Sequence, residues 1–282
     1  MSTPDFEVGS GDDRIAGWRS GAGPAVLLLH GGPGLSEYMD SLEPELVDGY
    51  TVVRYQQRGL DPSTLAGPFD VASQAKDAIA VLDHLGYDRV TVVGHSWGGH
   101  LALHLLTLYP ERLAAALIID PLGAVADGGE ADLGRILGER LTPEAAQRAA
   151  EIDEKAMRGE GTDLDQMEAL NLVWPAYFAD PVKAPPMPPL RISIPAYSAT
   201  FDSIHDHFKR KSLVSGLPSC QVPTTLLLGA ESPIPNKFGI ETAALIPGAE
   251  LRVVADSGHF PWLERPGVTR SELDALRARA SL

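Results

Sequence analysis

A serine set between glycines is the most reactive arrangement in this chain: Val93-Gly94-His95-Ser96-Trp97-Gly98-Gly99. An apolar run ends just before it and a helical pattern begins just after it, so the G-x-S-x-G element falls at a strand-to-helix turn. Gly94 and Gly98 supply a bend too tight for a Cβ. The bend lifts the Ser96 hydroxyl off the sheet end and points the Trp97 N–H, at the helix N-terminus, toward the space beside it. The competing explanation, a dinucleotide-binding turn, lacks the G-x-G-x-x-G spacing. A hydroxyl becomes a nucleophile when a base takes its proton, and imidazole does this near neutral pH. Of the eight histidines, His259 in Asp256-Ser257-Gly258-His259-Phe260-Pro261-Trp262 alone sits late, in a Gly-flanked loop after a strand. His84, His100 and His104 fall on helical patterns and read as surface or packing residues. His205 and His207 belong to a later inserted segment, and His95 has its side chain turned away from the nucleophile.

The segment His30-Gly31-Gly32-Pro33-Gly34 follows the first core strand. Small residues there let backbone approach a carbonyl, and the Gly32 N–H could join that of Trp97 in holding an oxyanion. Each such donor is worth about 2.7–4 kcal/mol in acyl transfer. His30 reads as a structural hydrogen-bonding residue beneath this loop.

These residues need a scaffold that places them together. Short apolar runs at 25–29, 90–93, 114–119 and 224–228, with two more at 50–55 and 251–254, predict buried parallel strands. Between them, Val71 through Leu85 and Trp97 through Tyr109 carry helical periodicity. The alternation predicts an α/β fold, a mostly parallel sheet flanked by helices. It breaks between about Asp127 and Gly216, where helical patterns at 131–140, 143–157 and 164–173 precede a proline-rich run, 180–189. This stretch reads as a helical cap over residues 125–216, inserted into a core formed by 1–124 and 217–282. The proline run, set among Trp174, Tyr177, Phe178 and Tyr197, reads as ordered surface over a pocket.

The elbow, the H-G-G-P-G loop and Tyr55-Gln56-Gln57-Arg58-Gly59 together resemble the α/β-hydrolase family, closest in motif to its proline-iminopeptidase-like branch. The resemblance implies an α/β-hydrolase fold with a variable cap, Ser96 as nucleophile and His259 as base. It also implies an acid after the penultimate core strand, in a pattern like Gly-x-x-Asp-Pro. Here that place reads Gly229-Ala230-Glu231-Ser232-Pro233, with serine where aspartate is expected. Two acids remain. Glu231 is one residue early and one methylene longer. Asp120 ends the strand after the elbow helix, a place that looks like the alternative acid site of some haloalkane dehalogenases. Parallel strands present their carboxyl ends to one crevice, and the reading favours Asp120 over Glu231.

A serine nucleophile points to ester or amide cleavage of a small, largely apolar substrate through an acyl-enzyme, with Trp174, Tyr177, Phe178 and Trp262 as pocket walls. An aminopeptidase would use cap acids such as Glu151, Asp153, Glu154, Glu168 and Asp180 to hold an amine. The family's Trp-x-x-Trp-Glu cap signature is absent. A third possibility, raised by Ser232, is a hydrolase fold that binds without catalysis.

Composition narrows the partners. With 23 basic against 38 acidic residues the 282-residue chain carries −15, which disfavours nucleic acid. One cysteine, Cys220, excludes an internal disulfide and a cysteine zinc cage, and reads as buried and inert. No apolar run approaches the roughly 20 residues of a membrane span, and the first residues show no signal-peptide pattern. The expectation is a cytoplasmic protein with a small-molecule substrate and no cofactor or metal.

Overall fold

The computed structural model describes residues 3–11 and 13–282; residues 1, 2 and 12, which the expected core segment includes, lie outside the described residues. The strands are β1 (Phe6–Ser10), β2 (Asp13–Gly21), β3 (Ala25–Leu29), β4 (Thr51–Tyr55), β5 (Val90–His95), β6 (Leu113–Ile119), β7 (Thr224–Gly229) and β8 (Glu250–Val254). They form one eight-stranded sheet in the order β1-β2-β4-β3-β5-β6-β7-β8. β2 pairs antiparallel with both neighbours and every other pairing is parallel. β5 and β7 are buried along their whole length, as continuous apolar runs between two helical layers require. Apolar residues pack on both faces, with Leu27, Leu29, Val92 and Ile118 on one and Leu28, Val93, Leu117 and Ile119 on the other.

The fold is the expected mostly parallel α/β sheet. The helices Val71–His84 and Trp97–Leu108 and the inserted helices Glu130–Glu139, Pro143–Met157 and Asp163–Val173 fall within a residue of their patterns. Several elements were not legible, among them the helices Asn236–Leu245 and Val268–Arg279, the first two strands and the helix Ile194–Arg210. The β1–β2 hairpin has only the brief alternation Phe6-Glu7-Val8 as a signal. The helix Ile194–Arg210 follows the proline run closely, yet it has a clear start. Pro195 occupies its first turn, the Ser193 hydroxyl accepts from Ala196 N, and Ala196, Thr200 and Ile204 recur every four residues on its buried face.

That helix docks on the elbow helix through an imidazole cluster. The His104 ring lies 5.0 Å from that of His100 and 4.5 Å from that of His207. His100 and His104 are buried, so they are packing residues, and their Nε2 atoms have no hydrogen-bond partner. Burial pushes His100 down to about 4 and His104 well below 6.5. It also lowers His207, beside Arg210, Asp206 and Asp70; His205, two residues earlier, pairs with Glu130 of another helix.

The His100 and His104 imidazoles are neutral when folded and take up protons on unfolding, so their contribution is intact above pH ~6.5 and is lost as pH falls below it. Glu37, pushed up to about 7 by burial, acts in the opposite sense, which a comparison of two proteins cancels. Urea unfolding at pH 7, 6 and 5 is expected to show His104→Leu losing less stability on acidification than the wild type. The difference approaches about 1.4 kcal/mol per pH unit. Equal slopes would refute the cluster's role.

Candidate active site

Sheet order creates the crevice. The chain passes from β3 to β4 on one side and returns to β5 on the other, so the loops leaving β3 and β5 diverge at their carboxyl ends. Gly31–Gly34 lies on the first of these loops and Ser96 on the second. The register pairs His95 with Ile119, which brings Ser96 and Asp120 out of adjacent strands at one level.

The elbow is held by contacts that admit only glycine. A Cβ on Gly94 would stand 2.3 Å from the Gly98 carbonyl oxygen, and one on Gly98 would stand 2.0 Å from that of Leu29. Ser96 has φ 56° and ψ −121°, a conformation that costs a residue with a side chain about 1–3 kcal/mol. Its N–H donates to the Ile119 carbonyl at 2.9 Å, which pins it there. Trp97 opens the helix, so its N–H has no carbonyl one turn back to bind.

The Asp120 carboxylate meets the His259 ring. Nδ1 of His259 donates to Asp120 Oδ2 at 2.6 Å, which leaves Nε2 to accept a proton. Both side chains are buried. Burial pushes the Asp120 carboxyl well above its usual range, opposed by the Ser232 hydroxyl and the Gly229 N–H. Burial likewise pushes His259 down to about 3. The Ser232 hydroxyl donates to Asp120 Oδ2 while its oxygen accepts from Ile234 N at 3.1 Å, an arrangement that fixes the direction of its proton. Thus Ser232, at the position where the resemblance implies an acid, hydrogen-bonds to Asp120 instead. Glu231 is exposed, and its backbone N–H donates to Ser257 O.

A second chain of hydrogen bonds, not anticipated from the sequence, joins the glycine loop to the histidine loop. Gly31 N–H donates to the Tyr38 hydroxyl at 2.9 Å, and that hydroxyl donates to His95 Nδ1 at 2.7 Å. His95 Nε2 then donates to the His259 carbonyl at 2.7 Å. The carbonyl can only accept, so every proton in the chain is assigned. His95 is buried. Gln57 braces the same loop, donating to His30 O at 2.9 Å and accepting from Trp97 Nε1 at 2.8 Å. Its backbone N–H also donates to His30 Nε2. His30 thus lies under the loop as a buried hydrogen-bonding residue, pushed down to about 4 by burial.

Ser96, His259, Gly32, Trp174 and Tyr177 line one cavity of about 60 Å³, whose remaining walls include Leu35, Leu170 and Leu190. Phe178 and Trp262 depart from expectation and are not among its lining residues. Phe178 stacks on Phe260 at 5.5 Å, and Trp262 packs edge-on to His95 while donating to Ser41 Oγ. Both support the wall from behind. A larger cavity, about 640 Å³, lies beside Asp180, Lys183 and Glu231 and does not include Ser96. The acids considered for amine binding do not line the Ser96 cavity. Glu151 and Glu168 pair with Arg148, and Asp180 with Lys183. Cys220 is buried, which raises its thiol pKa. Among the described residues, no group of three His, Cys, Asp or Glu side chains is placed to hold a metal ion, and no helix is long and apolar enough to cross a membrane.

Comparison with known proteins bears on the fold. A family model described as alpha/beta hydrolase fold matches residues 24–266. An uncharacterised protein of Mycobacterium tuberculosis is 25% identical over 265 residues, which cover 88% of this chain and 73% of that protein. A proline iminopeptidase of Lactobacillus delbrueckii subsp. lactis is 30% identical over 175 residues, covering 56% of this chain and 58% of the relative. Among solved structures, a thermophilic esterase from Thermogutta terrifontis superposes with a TM-score of 0.65 at 23% identity, covering 95% and 94% of the two chains. A 2-hydroxy-6-oxo-6-phenylhexa-2,4-dienoate hydrolase from Rhodococcus sp. strain RHA1 gives 0.70 at 20% identity, covering 96% and 97%. At these identities the structural likeness speaks for the fold.

The Tyr38 chain makes a prediction of its own. Tyr38→Phe strands the Gly31 N–H and His95 Nδ1 in a dry interior, at an expected cost of about 1–3 kcal/mol in urea unfolding. An unchanged midpoint would mean that the chain holds nothing together.

Proposed function

The chain belongs to the α/β-hydrolase fold family of hydrolytic enzymes, and on that premise we propose that it is a serine hydrolase. It would cleave an ester or amide bond of a small, largely apolar substrate through an acyl-enzyme. The observation that carries this reading is the 2.6 Å bond from His259 to the buried Asp120, with His259 and Ser96 facing one cavity.

In the proposed reaction His259 Nε2 takes the Ser96 proton as the oxygen attacks the carbonyl carbon. The carbonyl π electrons move to oxygen, and that charge is held by the N–H groups of Gly32 and Trp97. The C–O or C–N bond to the leaving group then breaks, and the imidazolium returns the proton to that group. Water repeats the sequence on the acyl-enzyme, with His259 again as base, and frees the acid and Ser96. Asp120 keeps the ring in the tautomer with Nδ1 protonated and offsets the imidazolium charge. Residues 125–216 serve as the cap, since Trp174, Tyr177 and Leu190 supply its cavity wall. Residues 1–124 and 217–282 form the catalytic core. Trp174 and Tyr177 would contact substrate, with Phe178 and Trp262 supporting from behind.

A second reading, an aminopeptidase, is favoured by the 30% identity to a proline iminopeptidase. It is weakened because none of the cap acids lines the Ser96 cavity, and Glu151, Glu168 and Asp180 lie in ion pairs. A non-catalytic binding protein loses its motive, because Asp120 stands where Ser232 left the charge missing.

A fluorophosphonate probe is expected to label the wild type and spare Ser96→Ala; no labelling would return the reading to a binding protein. On p-nitrophenyl esters, Asp120→Asn is expected to lower kcat about 10⁴-fold, while Glu231→Gln leaves it unchanged. A loss in Glu231→Gln alone would overturn the choice of acid. Proline naphthylamide turned over faster than any ester would favour the aminopeptidase. Ser232→Ala removes a donor that keeps Asp120 ionised, so its proton affinity rises and the acid limb of kcat/KM moves to higher pH. Ser232→Thr, which keeps the hydroxyl, restores the limb. An unmoved limb in Ser232→Ala would dismiss that support.

A further inference from the structure

The cavity at Ser96 is small, about 60 Å³, but it has a neighbour. A second cavity of about 160 Å³ shares Tyr38, Trp174 and Phe260 with it as a common wall, and Pro185, Pro186, Pro188 and Leu263 form the far side. The polar side-chain atoms of this lining are already engaged. The Tyr38 hydroxyl is held between Gly31 N and His95 Nδ1. Trp174 Nε1 donates to Pro185 O at 2.7 Å. The hydroxyl of Ser41, at the rim, donates to Tyr38 O and accepts from Trp262 Nε1. Proline brings no N–H. Such a surface offers an occupant apolar contact and no hydrogen bond, and a polar occupant would lose its hydration without return.

We propose that this proline-walled slot is a binding subsite for an unbranched alkyl chain of the substrate, so that the enzyme prefers esters carrying a chain of medium length. The proposal rests on the serine-hydrolase reading, because it is the carbonyl held at Ser96 that sends a chain across the shared aromatic wall. The slot is also bounded. Pro185 and Leu263 belong in turn to the 640 Å³ cavity lined by Asp180, Lys183, Asp256 and Arg265. There Lys183 pairs with Asp180 at 2.9 Å and Arg265 with Asp256 at 3.0 Å. A chain that outgrows the slot meets hydrated ion pairs and gains nothing further. The structure therefore sets both a rise and a ceiling in chain length.

The test uses p-nitrophenyl esters from acetate to laurate, and a parallel series of acetate esters with lengthening alcohols. The expected result is a rise in kcat/KM of about fourfold per methylene in one series, the rate equivalent of burying one CH₂. It peaks between butyryl and octanoyl length or the matching alcohols, and the series that shows the peak tells whether the acyl or the alcohol chain enters. Pro186→Trp and Leu263→Trp fill the slot and are expected to lower the hexanoate-to-acetate ratio of kcat/KM, or its alcohol counterpart, at least tenfold. Calorimetric titration of hexanamide into Ser96→Ala reads the slot without turnover; binding is expected, and is lost in the filled variants. Hydrolysis with a flat profile in both series overturns the slot and spares the hydrolase. Hexanamide binding without hydrolysis by the wild type upholds the slot and overturns the hydrolase. Neither hydrolysis nor binding overturns both.

Discussion

A carboxylate without water must find its solvation in the protein, and the site around Asp120 is built on that constraint. A buried ionised acid is costly unless donors surround it. Here they come from three directions: the His259 ring, the Ser232 hydroxyl and the Gly229 backbone. They stand on different connections, after β8 and at the end of β7, while the acid ends β6. The register makes this possible, since Ile119 pairs with His95 on one side and with Leu227 on the other. Asp120 N–H donates to Leu227 O at 2.9 Å, so the acid's backbone is fixed by the same ladder that fixes the strands.

The inserted helical segment is tied into this frame rather than laid over it. His259 N–H donates to Tyr177 O at 2.8 Å, and Ser193 N–H donates to Gly34 O at 2.8 Å. Gly258 has no room for a side chain, since a Cβ there would stand 2.3 Å from Tyr177 O. The glycine loop and the histidine loop thus each hold the insertion at an interior point, Ser193 and Tyr177. The Tyr38–His95 chain connects the two loops beneath. A displacement of the insertion would strain both loops at once, which couples access to the cavity with the placement of the groups that line it.

How much of this could be read in the sequence follows from what sequence patterns record. The central strands were legible because burial on both faces leaves runs such as Val90-Thr91-Val92-Val93, and the elbow because its glycines are forced by contacts below 2.5 Å. Asp120 was visible as a strand-end acid. Its contact with His259, across 139 residues, depends on strand order, which no local pattern encodes. Tyr38 gave no signal, because a tyrosine in a loop looks the same whether or not its hydroxyl joins two buried partners. Aromatic character marked Phe178 and Trp262 as wall residues but could not tell the lining from the layer behind it. Ser232 read as a loss because a sequence shows that the charge is missing from that position, and not that the hydroxyl supports it elsewhere.

The position of the acid on β6 has a consequence for how the molecule assembles. Ser96 and Asp120 lie 120 − 96 = 24 residues apart, within one strand–helix–strand unit whose pairing is local and quick to form. The imidazole stands beyond β8, the last strand. The donors that satisfy the Asp120 carboxylate, from Gly229, Ser232 and His259, all lie C-terminal to that unit, so the C-terminal segment is the keystone that completes the interior around it.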